Sequence, residues 1–160
     1  MKVTTSRFGE IELQEENILT VPSGLIGFPE IKKVAILDHK PGSPFRWLQS
    51  IDQPDLAFVI VDPLLVAPLY PMDIVLDLFE EPGTTLDNLA VACIATVPPN
   101  PEPITVNLLA PVAFNADTRN GAQVVIPGGR YSSRYLLHRN PVVPPVTAEE
   151  PQEAQSAQES

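Results

Sequence analysis

Residues 44–63, PFRWLQSIDQPDLAFVIVDP, carry the reading of the fold. Arg46 to Ile51 alternates apolar and polar side chains, the period of a strand with one face buried. Asp52-Gln53-Pro54-Asp55 supplies a turn, because Pro54 fixes φ and the two aspartates can bond the local backbone. Leu56 to Val61 is then apolar without interruption and rich in β-branched residues, which predicts a strand covered on both faces at the centre of the core. Asp62-Pro63 ends it, since proline has no N–H to give to a ladder. The stretch is scaffold, with no catalytic set in it.

Working outward, the same logic gives many short strands. Lys2 to Leu13 alternates, with Phe8, Ile11 and Leu13 as inward residues, and Ile18 to Val21 returns. Pro22 to Pro29 is a loop with two glycines. It lacks the following helix that a phosphate cradle requires. Lys33 to Asp38 is a strand leading into the central hairpin. After it, Pro68 and Pro71 bar a regular helix from Leu64 to Met72, and Asp73 to Phe79 reads as a strand. Leu89 to Val97, LAVACIATV, is a second buried strand. Ile104 to Leu109 and Val112 to Asn115 resume the pattern, and Asn120-Gly121 predicts a hairpin returning through Gln123 to Ile126. A last short strand falls within Tyr131 to Leu137.

These elements predict a mainly β chain: a single small antiparallel barrel-like domain with short helical turns, spanning 1–140. Residues 141–160 hold four Pro and four Glu with neither an aromatic nor a basic residue, which predicts an acidic tail, disordered over 144–160.

The 160-residue chain has a net charge of −10, which argues against direct binding of nucleic acid. No Lys, Arg or His lies between Arg46 and Arg119, while Asp52, Asp55, Asp62, Asp73, Asp77, Glu80, Glu81, Asp87 and Glu102 do. Such segregation makes a one-sided field that speeds encounter with a basic partner by about 10 to 10³-fold.

Cys93, the single cysteine, sits in an apolar run and reads as a core side chain. His39 and His138 read as surface residues. The motifs of serine hydrolases, zinc proteases and P-loop or dinucleotide sites do not occur. No metal, cofactor or catalytic residue is therefore assigned. A carboxylate-pair hydrolase and a plain structural module are the alternatives to a binding protein. The apolar runs are too short to span a bilayer and the first residues lack the apolar core of a signal peptide, so the expected location is the cytoplasm.

GLIGFPE at Gly24 to Glu30, the central Pro44 to Pro63 stretch, TVNLLAPVAFN at Thr105 to Asn115 and YSSRYLL at Tyr131 to Leu137 occur in one collinear order. In that order they resemble the flagellar assembly factor FliW family, over nearly all of residues 2–137. The resemblance implies a non-enzymatic, barrel-like binding protein with two protein partners. One is flagellin; the other is CsrA, a basic dimeric regulator that binds messenger RNA and represses translation. It implies that CsrA is antagonised until accumulating flagellin displaces it, without direct contact to nucleic acid or membrane, and that the chain is a monomer. The partner-binding candidates are the acids Asp52, Asp55, Asp73, Asp77, Glu80 and Glu81, which suit a basic partner. To these are added the loop residues Leu25, Ile26 and Phe28, suited to an amphipathic segment, and the strand polar residues Gln49 and Asn107.

Overall fold

A computed structural model describes residues 1–99 and 101–137. The division at residue 140, the tail and His138 lie outside the described residues. At the N-terminus β1 (Lys2–Thr5) and β2 (Gly9–Glu12) form a small hairpin of their own. Lys2 to Leu13 is thus two strands rather than one alternating run. The Thr5 hydroxyl holds the fold-back, accepting from Phe8 N and donating to Gly9 O.

The main sheet begins with β3 (Ile18–Thr20), β4 (Lys33–Asp38), β5 (Phe45–Ser50) and β6 (Ala57–Val61), each antiparallel to the next. Two short helices follow, α1 (Pro63–Val66) and α2 (Met72–Leu78), and then β7 (Leu89–Thr96). The set is completed by β8 (Ile104–Val106), β9 (Val112–Asn115), β10 (Gly121–Gln123) and β11 (Tyr135–Leu137). One edge of β7 pairs with β6; the other forks, with Leu89 to Ala92 on β9 and Ala95 and Thr96 on β8. The path β3-β4-β5-β6-β7-β9-β10 curls until its ends meet at a single parallel bridge, Thr20 to Asn120. Arg119, at φ +65°, turns its carbonyl to accept Thr20 N–H at 2.9 Å. The result is barrel-like without being a fully laddered barrel. Among the described residues, no helix is long and apolar enough to cross a membrane.

The β5–β6 hairpin has the predicted position, with Leu48 opposite Phe58 and Trp47 opposite Val59. Period-two alternation sends these pairs to opposite faces. Phe58, Leu48 and Ile60 point into the curl, where they meet Val34, Val112, Phe114 and the loop residues Leu25 and Ile31. Trp47, Val59 and Val61 point outward under α2, β8 and Tyr70. Both faces are therefore covered. The expectation that Arg46 to Ile51 exposes its polar face fails for this reason: within β5 only Arg46 is exposed, and Gln49 and Ser50 are fully buried.

Two other elements differ from the sequence reading. Asp73 to Leu78 lies in α2, with Phe79 as its C-cap, and the stretch is not a strand. Met72, Val75 and Phe79 fall at the three- and four-residue spacing that puts them on one helical face, with Val75 wholly buried and the outer core cluster beneath. In so short a run both periods fit, and packing selects the helix. The preceding proline-rich stretch opens with one helical turn, because Pro63 takes the first helical position, where its missing N–H costs nothing. Asp62 caps it, accepting from Leu64 N at 2.9 Å. Pro68 keeps the turn from propagating.

The Asn-Gly hairpin exists, but its glycine is not in the turn. Gly121 lies inside β10 opposite Phe114, and a Cβ there would sit 2.3 Å from the Phe114 ring. The turn is made instead by Asn115, whose Oδ1 accepts from Asp117 N and Thr118 N.

Candidate interaction surfaces

The polar residues of the central hairpin are committed to the fold. Gln49 Nε2 donates to the carbonyls of Ser50, Pro54 and Leu56 at 2.8, 3.0 and 3.1 Å, filling the interior of the turn. Asn107 ends β8 by accepting from Leu109 N and Ala110 N. Asp52 bonds not within its own turn but across to the start of β4, where Oδ2 accepts from Lys32 N and Lys33 N at 2.5 and 2.7 Å. Asp55 accepts from the Ser6 hydroxyl and so ties the N-terminal hairpin to the central turn.

Asp52→Ala removes two charge-assisted bonds from β4 and is expected to lower stability by about 2 kcal/mol. Urea unfolding checks this; an unchanged midpoint would release Asp52 from its structural role.

The loop Gly24 to Pro29 folds as a tight turn, Leu25 and Phe28 exchanging backbone bonds around Ile26-Gly27 with Gly27 at φ +86°. Leu25 is buried and Phe28 packs edge-on to Phe58 at 5.6 Å, so both serve the core. Ile26 stands exposed at the tip, its N–H held by Gln123 Oε1 at 2.8 Å. Gln123 Nε2 in turn donates to Ala110 O, which fixes the tip to the β8–β9 connection.

Three of the remaining four acids face solvent. Asp73 and Asp77 project from α2 one turn apart, and Glu80 follows the helix. Glu81 is half-buried and accepts from Asn120 Nδ2 at 3.0 Å. Within α2, Asp77 occupies the last turn, where a negative charge opposes the helix dipole and repels Asp73.

Burial pushes the Cys93 thiol up to about 12, and it lies 4.0 Å from the Tyr70 hydroxyl. Burial, with Cys93 next to it, also raises Tyr70, whose hydroxyl donates to Leu108 O at 2.5 Å. Both are core groups. Among the described residues, no three His, Cys, Asp or Glu side chains gather as a metal site.

One surface has no counterpart in the sequence reading. An open groove of about 610 Å³ lies where the inward residues Ile36, Ile60, Ala92 and Phe114 reach one end of the curl. Leu64 and Leu65 of α1 and Leu86 form its rim, exposed by 39%, 65% and 57%. The signal was present in Asp62-Pro63-Leu64-Leu65, a capped helical turn whose leucines have too few following residues to wrap back onto the core.

The family described as FliW protein matches residues 2–137. The flagellar assembly factor FliW of Syntrophus aciditrophicus is 38% identical over 143 residues, covering 88% of this chain and 89% of the relative. That of Geobacter sulfurreducens is 38% identical over 136 residues, covering 84% and 85%. A crystal structure of the flagellar assembly factor FliW superposes with a TM-score of 0.74 at 30% identity, covering 88% of this chain and 99% of that one. The match spans every strand from β1 to β11, and the chain belongs to the FliW family of flagellar assembly factors.

Proposed function

We propose that the chain is a monomeric, cytoplasmic, non-enzymatic regulator that binds CsrA and flagellin and couples flagellin level to flagellin translation. The observation carrying this reading is the acidic surface of α2 and its flank. Asp73, Asp77 and Glu80 are exposed on a stretch that has no base between Arg46 and Arg119. A basic RNA-binding protein complements that field, and RNA brought near it is repelled. The position of Asp77 supports the reading further, because its charge weakens its own helix and so is better explained by encounter than by folding.

Asp77→Lys is accordingly expected to act in opposite directions on fold and function. Unfolding free energy rises by about 0.5 kcal/mol through the helix dipole. Association with CsrA slows by about tenfold when Asp73→Lys is added, with little change in dissociation, and the effect shrinks with salt because the Debye length is only about 8 Å at physiological ionic strength. Stopped-flow association at two salt concentrations measures both; a purely dissociative effect would place these aspartates outside the encounter surface.

The switch itself is tested by loading CsrA onto the protein, adding flagellin, and following the return of CsrA to its messenger RNA. Linkage requires that each partner weaken the other by the same factor. A ternary complex with both affinities intact would leave two binding activities and no switch.

A further inference from the structure

Asn120 is followed by Gly121, whereas the chain's other asparagines precede Ile, Leu, Ala or Pro. A backbone nitrogen attacks the preceding asparagine side chain most readily when its own residue has no Cβ to crowd the approach. Asn120 is thus the most labile amide of the chain. The fold keeps the glycine, because a Cβ at 121 would sit 2.3 Å from the Phe114 ring. We propose that Asn120 is a site of spontaneous deamidation, and that the product holds open the seam where the curl closes.

The closed structure restrains the reaction. The Asn120 carbonyl accepts from Asn115 N at 2.9 Å, and its N–H donates to Thr118 Oγ1 at 3.3 Å. Its side-chain Nδ2 donates to Glu81 Oε2 at 3.0 Å. The extended backbone of a bridge residue also holds Gly121 N away from the side-chain carbon. Reaction therefore needs the seam to open, and the seam is built to open early. β10 pairs with β9 over three residues, but the Thr20 to Asn120 contact that joins its start to β3 is a single bridge. Arg119 beside it is a non-glycine residue at φ +65°, a conformation that opening relieves. Such a junction opens locally at less cost than the ladders of the core.

In the open form Gly121 N attacks Asn120 Cγ. The N–Cγ bond forms, the Cγ–Nδ2 bond breaks, and the amide leaves as ammonia with the proton from Gly121 N. Water, the only co-reactant, then opens the cyclic imide at either carbonyl. One cleavage gives aspartate; the other gives isoaspartate, whose main chain runs through the former side chain. Both put a carboxylate where an amide donor stood, against the half-buried Glu81 carboxylate. Attraction becomes repulsion at a place that water screens only in part. Isoaspartate also lengthens the chain ahead of β10 and moves Gly121 off its register with Phe114. The change is one-way. β10 also carries Gln123, whose Oε1 holds Ile26 N–H, so an open seam loosens the exposed tip of the Gly24 to Pro29 loop.

The reaction is followed by holding the full chain at physiological temperature and pH and mapping its peptides by mass spectrometry for acid and isoaspartate at position 120. The guanidinium-unfolded chain, Glu81→Ala and Asn120→Ser are run beside it. Conversion is expected at position 120 before any other asparagine, and about tenfold or more slower in the folded chain than in the unfolded one. Glu81→Ala, which frees the side chain, falls between them, and Asn120→Ser shows no conversion there. First conversion at another asparagine, complete protection of the folded chain, or a Glu81→Ala rate equal to that of the unaltered chain overturns the proposal.

The effect of the product is read with Asn120→Asp through hydrogen exchange of Thr20 N–H, which donates to Arg119 O across the seam. Exchange is expected to quicken by about tenfold or more, and to return most of the way when Glu81→Gln is added, because an amide again faces a carboxylate. Asn120→Ser removes the bond without adding charge, so its smaller effect is not corrected by Glu81→Gln. Unchanged exchange in Asn120→Asp, or equal exchange with and without Glu81→Gln, overturns the proposal. Should Asn120→Asp fail to fold, the double variant decides: folding restored by Glu81→Gln supports opposed carboxylates at the seam, and a double variant that also fails overturns them.

Discussion

Phe58→Ala is expected to lower the free energy of unfolding by about 3–5 kcal/mol, the cost of deleting a fully packed aromatic side chain. Phe58 is 1% exposed on β6, opposite Leu48 and edge-on to Phe28. It is therefore held by the central hairpin on one side and by the Gly24 to Pro29 loop on the other. A cavity here cannot be filled by a small local shift, because Val34, Val112 and Phe114 come from two further strands, β4 and β9. Thermal unfolding should fall by roughly 10 °C. A loss below about 1 kcal/mol would mean that the inward face of the curl collapses onto the cavity, and that the two clusters are less rigid than their packing implies.

Gly24→Ala is expected to cost about 3 kcal/mol, from backbone strain and a steric overlap acting together. Gly24 has φ +74°, and a Cβ there would lie 2.5 Å from Pro29 O and 2.6 Å from Pro29 Cα. Both atoms are backbone, so relief requires the whole turn to open and withdraws Leu25 from the core. Gly9→Ala is the matched control: its φ is +68°, but nothing lies within 4 Å of the added carbon. That variant should lose only about 1 kcal/mol, the strain alone. Urea unfolding of the pair separates the two contributions. Equal losses would show that the approach to Pro29 carries no energy.

The candidate surfaces were less legible than the scaffold. Exposed acids on a base-free stretch can be counted in a sequence, and Asp73, Asp77 and Glu80 are indeed at the surface. Leu25, Gln49 and Asn107 carry the same kinds of side chain as a binding site would, yet the first packs in the core and the other two bond the local backbone. Leu65 and Leu86 show the reverse. They look like core residues by composition, and they stand exposed because the groove beside them is left open.

The sequence by itself determined whatever depends on neighbours along the chain. Uninterrupted apolar β-branched residues make β6, prolines delimit the helical turn of α1, and Asp, Asn and Gly mark the reversals, because dihedral preference and short-range hydrogen bonds act within a few residues. Only the tertiary structure decided what depends on residues distant in the chain. Whether Asp73 to Phe79 takes the helical or the extended period was settled by the apolar surface beneath Val75. Gly121 is required by the ring of Phe114, seven residues earlier but directly opposite in the ladder. The burial of Gln49 follows from cover on both faces of β5, and the bridge from Thr20 to Asn120 follows from the accumulated twist of seven strands. Those outcomes are set by packing between separated segments, and a linear pattern contains no term for it.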